Sequence, residues 1–410
     1  MMKATLLAYA YSFVIALSLP FAVLRLLWKS RKNPDYRQRI GERLALKLPD
    51  SHGAIWIHSV SVGEFLAVLP LIEQLLEQKK ALLITTTTPT GSAMLKAKLG
   101  RRVKHCYLPF DLPIFTRRFV QQTRPQAAVF VETEIWPNFI HSLNKQDIPA
   151  YLINARLSEK SYRGYAVFGA FTQQVLGGFR EVACQNNASC QRFQQLGANA
   201  SMLGNLKFDI NPPADLTTQQ TRLKTYLRQR PFILAASTHK GEEELILSRF
   251  KHSAFVDSHL LVIAPRHPER SDAIIELARA QNLSIGRYSQ TTVLAPDSDV
   301  LIIDTLGQLL AFYSLAEWAI IGGSFIPHGG HNPLEAALFA TPCVIGKHYF
   351  NFATLIDEMQ HDKAIVVIDQ QQLFNSIPAA GIGSRAKRFL TANQGAVHRY
   401  QQLIIGQTHD

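Results

Sequence analysis

Residues that could bind a nucleotide phosphate are concentrated between Gly322 and Glu335, in the sequence GGSFIPHGGHNPLE. The segment follows an apolar run, and a helix is expected to begin near Pro333 with Asn332 as its N-cap. Glycines let a ligand approach the backbone closely, and the free N–H groups of a helix start attract phosphate. The carboxylate of Glu335 could bind a ribose diol. Capping would explain Asn332 and Glu335, but not the four glycines and two histidines before them. The sequence therefore predicts a nucleotide-phosphate site.

Further polar candidates in the second half of the chain belong to this segment or follow other apolar runs. An arginine after a strand, close to a glycine-rich helix start, is well placed for a phosphate. Each such cluster is a weak signal alone, whereas several at the ends of strands in one domain form a stronger one. The candidates are Ser237, Thr238, His239, Pro265, Arg266, Leu306, Gly307, Gln308, Gly323, Ser324, Gly330, His331, Pro333 and Leu334.

The first half of the chain places acidic residues after apolar runs. Glu64 is expected in the first turn of a helix that follows Ala54–His58, where the helix dipole alone could favour a carboxylate. Glu132 and Glu134 follow Ala127–Val131 and share a face if that strand continues. Two carboxylates at the end of a hydrophobic strand are hard to justify by packing, because a buried charge needs a partner. These residues are candidates for acid–base chemistry.

Lys207 lies in the segment GNLKFD, after an apolar run that ends near Leu203. Its ammonium group could meet an acidic sugar or a phosphate, or it could be a solvated hinge lysine. The sequence has no GxGxxG, GxxxxGK[ST] or HExxH motif, so dinucleotide redox, P-loop and zincin functions have no support. Asp297-Ser298-Asp299 precedes a strand instead of ending one and is interpreted as a loop. No metal site is expected.

The elements that must position these residues are short apolar runs alternating with helix-like stretches. Runs of aliphatic and β-branched residues without alternation are typical of strands buried on both faces of a parallel sheet. The predicted strands are Ala54–His58, Ala81–Thr85, Ala127–Val131, Tyr151–Ile153, Val182–Cys184, Phe232–Ala236, Leu260–Ala264, Leu301–Ile303, Trp318–Ile321, Cys343–Ile345 and Ala364–Ile368. With helices between them, two doubly wound α/β domains follow. The break is expected at the proline-rich segment 211–215.

Composition agrees with a globular chain that binds an anionic partner. At 410 residues there is room for two or three domains, and 47% hydrophobic residues indicate an ample core. The net charge of +12 favours nucleic acid, acidic lipid or a phosphorylated substrate, without choosing among them. The four cysteines have no CxxC pair and no histidine at ligand spacing, which indicates buried thiols in a reducing compartment.

The stretch Ala4–Trp28 is long and apolar, and Arg25 is its only charged residue. As a helix it would be ~37 Å long, enough for a hydrocarbon core of ~30 Å. Basic residues follow it at Lys29, Arg31, Lys32, Arg37 and Arg39, and only Lys3 precedes it, which predicts that the remaining chain is cytoplasmic. Arg25 and Pro20 weaken a spanning helix, so a helix lying in the membrane interface remains an alternative. A cleavable signal peptide is disfavoured.

Several segments, in this order, resemble the 3-deoxy-D-manno-octulosonic acid (Kdo) transferases of lipopolysaccharide synthesis. The resemblance covers nearly the whole chain. The segments are His58–Glu64, Thr88–Gly91, Glu132–Pro137, Asn154–Ser158, Gly204–Asp209, Ser237–Glu243, Pro265–Arg270, Asp304–Leu309 and Gly322–Glu335.

The resemblance implies a GT-B fold, with two Rossmann-like domains facing a cleft and an N-terminal membrane anchor. It implies an anchor over 1–30, an acceptor domain over 31–210 and a CMP-Kdo domain over 211–385. A C-terminal helix within 386–410 would pack back on the first domain. It further implies inverting transfer of Kdo from CMP-Kdo to the phosphorylated tetraacyl lipid A precursor, at the inner membrane and without a metal or other cofactor. The implied partners are that lipid, CMP-Kdo and an anionic membrane surface, not nucleic acid.

Carried onto this chain, the resemblance makes Glu64 the general base. Glu132 and Lys207 match residues that steady the transition state. Pro265, Arg266, the turn Leu306-Gly307-Gln308 and Asn332 to Glu335 match the CMP contacts. Gln308 departs from the family, which usually has glutamate there. How many Kdo units are added does not follow from the sequence. Another GT-B nucleotide-sugar transferase or epimerase, or a non-catalytic membrane-tethered nucleotide-binding protein, remains an alternative.

Overall fold

The computed structural model describes residues 2–31, 33–379 and 381–406. Lys32 of the predicted basic run and positions 407–410 of the predicted C-terminal segment therefore lie outside the described residues. The chain divides into two units, Met1–Asp209 with Gln394–Asp410 and Ile210–Asn393. Each unit contains one parallel sheet with helices between its strands, so the predicted doubly wound α/β fold is confirmed.

The sheet of the first unit has seven strands among the described residues, in the order β3-β2-β1-β4-β5-β6-β7. The strands are β1 Ile55–His58, β2 Leu82–Thr86, β3 Lys104–Tyr107, β4 Ala127–Val131, β5 Ala150–Ala155, β6 Glu181–Cys184 and β7 Ala200–Met202. The helices are α1 Met2–Lys29, α2 Ile40–Arg43, α3 Val62–Glu77, α4 Pro89–Leu99, α5 Pro113–Thr123, α6 Pro137–Asn144, α7 Glu159–Val167, α8 Ala170–Leu176 and α9 Asn187–Gln195.

The sheet of the second unit has seven strands in the described part of the chain, in the order β10-β11-β9-β8-β12-β13-β14. The strands are β8 Phe232–Thr238, β9 Leu260–Pro265, β10 Ile285–Arg287, β11 Val300–Ile302, β12 Trp318–Ile321, β13 Cys343–Ile345 and β14 Val366–Val367. The helices are α10 Leu216–Tyr226, α11 Glu242–Lys251, α12 Ser271–Ala280, α13 Leu309–Tyr313, α14 Leu334–Leu338, α15 Ala353–His361 and α16 Ile382–Asn393.

The strand interiors are buried on both faces, as their apolar sequences require. Trp56 of β1 lies at the centre of an aromatic cluster, with its ring centroid 4.7 Å from Phe119 and 5.2 Å from Phe139. Its indole Nε1 donates to Thr85 Oγ1 at 2.8 Å, so the one polar atom of this side chain is satisfied. The four cysteines are free and buried, as predicted.

The last helix, α17 Ala396–Ile405, packs on the first unit. Tyr400 donates its hydroxyl to the Gly204 carbonyl at 2.8 Å, and Asp209 accepts from the backbone N–H of Gly395 at 2.6 Å. Helix α16 belongs to the second unit, so the change of unit falls after Asn393 and not after residue 385. A buried face on α16, which includes Ala386 and Leu390, keeps that helix with the second sheet.

Helix α1 contacts the first unit through its N-terminal half. Tyr11 donates its hydroxyl to Asp111 Oδ2 at 2.9 Å, and Ser12 donates to Asn138 Oδ1 at 3.1 Å. The opposite side of the helix is exposed and apolar, with Phe13 and Phe21 each 70% exposed. Among the described residues, Lys3–Lys29 is the one stretch long and apolar enough to cross a membrane, a test that a signal sequence would also pass.

Candidate functional site

Three carboxylates of the first unit come together where β1 and β4 end. Ser61 caps α3, accepting the Glu64 N–H at 3.3 Å, so Glu64 lies in the first helical turn as predicted. Glu64 Oε2 accepts from the Val60 N–H at 2.7 Å, and Oε1 accepts from the Ser61 hydroxyl at 3.0 Å. Burial raises the pKa of Glu64, and the negative charges of Glu134 and Glu132 act in the same direction. A carboxylate with a raised pKa is a stronger base once it is ionised.

The strand before Glu132 and Glu134 does not continue, so the condition under which they would share a face is not met. Strand β4 ends at Val131, and Glu132 has a left-handed backbone with φ of 62°. This turn folds the chain inward, leaving the Glu132 side chain buried with Oε2 2.8 Å from Nε of the exposed Arg156. Arg156 therefore supplies the partner that a buried carboxylate needs.

Glu134 has its own partners. Its Oε2 accepts from the Trp136 indole at 2.8 Å and lies 3.5 Å from Nε2 of the buried His58. The other ring nitrogen of His58 lies 2.9 Å from Thr85 Oγ1. At the carboxyl ends of β1 and β4 the first unit thus presents three carboxylates. Glu132 is paired with an arginine, Glu134 accepts from an indole, and Glu64 accepts from a backbone N–H.

Lys207 is exposed on a single turn of 3₁₀ helix, Leu206–Phe208. The buried side chain of Asn154 fastens this turn to the end of β5, accepting the Leu206 N–H at 3.2 Å. Asn205 accepts the Lys207 N–H at 3.0 Å, leaving the lysine ammonium group at the surface. The turn is therefore ordered, which favours a defined position for the Lys207 backbone over a loose hinge.

In the second unit a buried carboxylate, not predicted as a site residue, organises the glycine-rich segment. Glu242 is fully buried and accepts four backbone N–H groups. The donors are His239 at 3.0 Å, Gly323 at 2.6 Å, Ser324 at 2.9 Å and Phe325 at 2.9 Å. Burial raises the pKa of Glu242, and these hydrogen bonds oppose the rise. The position of Glu242 directly after a polar strand-end cluster was the available signal.

A histidine cluster packs beside this segment. The Nε2 atoms of His239 and His331 are 2.8 Å apart, so one ring donates and the other accepts. The ring centroid of His328 lies 3.7 Å from that of His239. Burial lowers the pKa of His239 and of His331 to about 4, and the charge of Arg266 contributes for His331. Both rings are therefore neutral at pH 7.

Arg266 and Glu335 are also brought together. Burial raises the pKa of Glu335, and the positive charge of Arg266 opposes that rise. Arg266 is exposed, immediately after β9, so its guanidinium group is available to an anion. Arg266, His331 and Glu335 thus form a group that offers a fixed positive charge, an imidazole and a carboxylate.

The helix after the glycines differs from the expectation. Helix α14 begins at Leu334, one residue later than predicted, and spans only five residues. Asn332 Oδ1 accepts the Leu334 N–H at 3.1 Å, so its side chain still supports the turn. Ala340, with φ of 57°, follows the end of this short helix.

The other predicted residues of the second unit differ in exposure to solvent, and several of them lie at the surface or in turns with a left-handed backbone. Leu306 is 80% exposed, Gly307 has φ of 86° with open space around it, and Gln308 precedes α13. Gly323 and Gly330 both have positive φ, and a Cβ on Gly323 would lie 3.1 Å from the His331 ring. Ser237 has a left-handed backbone and is half-buried.

Besides Glu132 and His239, five predicted residues have buried side chains that do not face solvent. They are Thr238, Pro265, Ser324, Pro333 and Leu334. Ser324 Oγ donates to the Ile321 carbonyl and accepts from the Gly346 N–H at 2.8 Å, so this hydroxyl is already used within the fold. Such residues shape the segment, and only their backbone atoms could meet a ligand.

Comparisons with solved structures agree with the architecture. The chain is similar to a UDP-GlcNAc 2-epimerase from Neisseria meningitidis, with 13% identity, a TM-score of 0.55, and coverage of 86% of this chain and 98% of that one. It is also similar to a glycosyltransferase from Rickettsia africae, with 11% identity, a TM-score of 0.53, and coverage of 88% and 99%. At these identities the likeness concerns the fold alone, which is GT-B.

Comparisons of sequence are more specific. The family model of the 3-deoxy-D-manno-octulosonic acid transferases matches residues 37–210. A 3-deoxy-D-manno-octulosonic acid transferase from Haemophilus influenzae is 34% identical, and the match covers 97% of both chains. A probable mitochondrial transferase of the same description from Arabidopsis thaliana is also 34% identical, over 85% of this chain and 81% of that one. The chain therefore belongs to the family of 3-deoxy-D-manno-octulosonic acid transferases.

Proposed function

We propose that this protein transfers Kdo from CMP-Kdo to the phosphorylated tetraacyl disaccharide precursor of lipid A, with inversion at the anomeric carbon. Membership of the Kdo transferase family supports the transferred sugar. The observation that carries the proposal is Glu64, a partly buried carboxylate with a raised pKa in the first turn of α3. The charge of Glu132 is paired with Arg156, whereas Glu64 accepts only from the uncharged Val60 N–H and Ser61 hydroxyl, so Glu64 is the candidate base.

On the acceptor side, Glu64 removes the proton from a primary hydroxyl of the disaccharide. The hydroxyl oxygen forms a bond to the anomeric carbon of Kdo, while the bond from that carbon to the CMP phosphate breaks. The electron pair of the broken bond leaves with the phosphate. Each Glu64 oxygen already accepts one hydrogen bond, and a carboxylate oxygen can accept a second. General-base catalysis of this kind contributes typically ~10²–10⁴-fold.

On the donor side, Arg266 stabilises the phosphate charge that develops as CMP leaves. Glu335 accepts hydrogen bonds from the ribose diol, and the neutral His331 donates to a phosphate or sugar oxygen. Lys207 stabilises the negative charge of the departing phosphate. Glu132 stabilises the positive charge that develops on the sugar ring. The positive charge of Arg266 stabilises the leaving phosphate, a role that a metal ion has in other transferases. We therefore propose that the reaction needs no metal.

At the membrane, α1 anchors the protein to the inner membrane, with both units on the cytoplasmic side. Basic residues near an anionic surface contribute ~1 kcal/mol each. Lys29, Arg31 and Arg37 can act in this way. Arg39 is less available, because its guanidinium group pairs with Glu42 at 2.6 Å and contacts His105.

The test is an assay of purified full-length protein with radiolabelled CMP-Kdo and lipid A precursor in detergent. Labelled Kdo should appear in the lipid fraction, and excess EDTA should leave the rate unchanged. UDP-sugars offered in place of CMP-Kdo should give no labelled lipid. Transfer from a UDP-sugar alone would assign the protein to another GT-B activity, and CMP binding without transfer would support a non-catalytic role.

A further inference from the structure

The first unit contains an apolar cavity of about 640 Å³ between α1 and the helices α7 and α8. Leu7, Ala10 and Val14 form the α1 wall, and Phe168, Phe171 and Val175 form the opposite wall. The volume lies within the range of roughly 300–1,000 Å³ that ligand pockets occupy. Aliphatic and aromatic walls of this kind suit a hydrocarbon ligand.

The polar groups at the wall are largely used by the protein itself. The hydroxyl of Tyr11 donates to Asp111, and its ring lies 6.2 Å from that of Phe171. The hydroxyl of Thr172 donates to the Tyr165 carbonyl at 2.7 Å. A polar ligand would therefore lose its hydrogen bonds to water without replacement, whereas a hydrocarbon chain loses nothing.

One end of the cavity adjoins the candidate catalytic carboxylates. Ile135, which directly follows Glu134, and Pro137, two residues further on, line it. Tyr165 lines it as well, and its pKa is raised by burial and by the negative charge of Glu134. A ligand in the cavity would thus extend from the neighbourhood of Glu134 and Glu64.

The apolar lining of the cavity reaches the surface of α1, because Val14 of the α1 wall is itself 60% exposed. Phe13 and Leu17 are exposed there, and Val167, at the end of α7, is 81% exposed. This surface lies on the helix that is apolar enough to enter a membrane. A chain in the cavity would therefore be continuous with the hydrocarbon of a bilayer that covers α1.

We propose that this cavity binds one fatty acyl chain of the acceptor lipid, and this rests on the proposed function. The head of that lipid is held at Glu64 during transfer, so a chain attached to it can enter the cavity, which begins beside Glu134. Each methylene moved from water into such a site favours binding by about fourfold. The cavity thereby selects acylated acceptors over the same phosphorylated disaccharide without chains.

Gly164 offers a direct test, because it lines the cavity within α7 and a Cβ there would meet nothing within 4 Å. Gly164→Phe should fill the cavity without backbone strain. Val167→Phe is the matched control, since it adds bulk on the same helix at a position outside the cavity wall. Transfer from CMP-Kdo would be measured for full-length wild type and both variants, with the tetraacyl acceptor and with its fully deacylated form.

Wild type should use the acylated acceptor with a kcat/KM at least about tenfold higher. Gly164→Phe should lower that value by about tenfold or more, since closing an apolar pocket to its ligand costs at least this factor. The deacylated acceptor should be used by Gly164→Phe as by wild type, within about twofold. Val167→Phe should change neither value, and matching unfolding temperatures would show that all three proteins are folded.

Other outcomes overturn the proposal in distinguishable ways. Equal use of both acceptors by wild type would remove the acyl site and leave the transferase function standing. An equal loss of kcat/KM with both acceptors in Gly164→Phe would mean that the cavity does not bind the acyl chain. Weaker binding to vesicles of phosphatidylethanolamine and phosphatidylglycerol, with an unchanged preference between acceptors, would assign the cavity to bulk lipid. Transfer to neither acceptor by wild type would remove the proposed function and this inference with it.

Discussion

Arg156 Nε lies 2.8 Å from Glu132 Oε2, so an exposed guanidinium group neutralises a buried carboxylate whose charge also acts on Glu64. The pair forms because Glu132 turns out of β4 with a left-handed backbone, while Arg156 follows the neighbouring strand β5. The proton affinity of Glu64 therefore depends on how the charges around it are balanced.

The pH dependence of transfer should follow this balance. The pKa of Glu64 is raised, so the acid limb of kcat/KM should lie above the ordinary glutamate value of 4.5. Glu134→Gln removes a negative charge and should move that limb to lower pH. Arg156→Gln leaves the charge of Glu132 unopposed and should move it to higher pH. Shifts in the same direction for both variants would contradict the balance.

Glu64→Gln should lower transfer at least ~100-fold, because an amide cannot accept the acceptor's proton. The amide oxygen can still accept one of the two hydrogen bonds, so the loss of stability should be a few tenths to ~1 kcal/mol. Turnover and melting temperature should be measured together. Glu73→Gln on the same helix, which breaks only the exposed pair with Arg102, is the control and should retain full turnover. Near-normal turnover in Glu64→Gln would leave Glu64 with a capping role only.

Arg266→Ala and Glu335→Ala should each weaken CMP binding by ~1.5–3 kcal/mol, the value of a lost charge-assisted hydrogen bond. Calorimetry with CMP measures this directly. Arg279→Ala, an exposed arginine of α12 paired with Glu276, should bind CMP as wild type does. Unchanged affinity in both site variants would move the nucleotide away from the group around Arg266.

Glu242→Gln should destabilise the second unit by ~2–4 kcal/mol, because an amide nitrogen would replace an oxygen that accepts buried N–H groups. Glu244→Gln, on the same helix but exposed, should cost less than ~0.5 kcal/mol. Denaturant unfolding of the two variants gives the comparison. Equal stability would mean that the glycine-rich segment keeps its shape without this carboxylate.

Deleting residues 1–30 should release a soluble and folded protein that still transfers Kdo to detergent-dispersed acceptor. The reason is that most of α1 is exposed, and that Asp111 keeps its bonds from the Asn138 and Phe139 N–H groups without Tyr11. Sedimentation and thermal unfolding of the truncated protein provide the measurement. A truncated protein that fails to fold would make α1 part of the core.

The parallel sheets could be predicted because their central strands are uninterrupted apolar runs. Ala127–Val131, Trp318–Ile321 and Cys343–Ile345 were predicted with the bounds they have. The strands Lys104–Tyr107, Ala200–Met202 and Ile285–Arg287 were not, and all three lie at sheet edges. An edge strand has one neighbour and needs no continuous apolar sequence, so its residues carry little signal.

The site was predicted less completely, because partners distant in sequence decide it. The position of Glu64 in the first turn of α3 followed from the local order of the chain, an apolar run and then a helix. The pairing of Glu132 with Arg156 could not be predicted. It depends on the left-handed backbone of Glu132 after β4, which no local sequence pattern indicates. Glu242 belongs to a run of three glutamates typical of a solvated helix start, yet its carboxylate lies against Gly323 and Phe325, about eighty residues away.

The hydrogen bonds of Tyr11 and Ser12 set the depth at which the protein would sit at a bilayer. Beyond Ser12, α1 has roughly 25 Å of helix left, which is shorter than a hydrocarbon core of ~30 Å. The contacts of Tyr11 and Ser12 hold α1 against the first unit, and the helix cannot slide along that unit without breaking its bonds to Asp111 and Asn138. Because Asn138 lies in α6, which begins at Pro137 shortly after Glu134, these bonds would keep the carboxylates at a fixed distance from a bilayer that α1 enters. In the proposed membrane attachment, α1 would therefore fix the depth of the first unit, whereas a flexible tether would limit only its distance from the membrane.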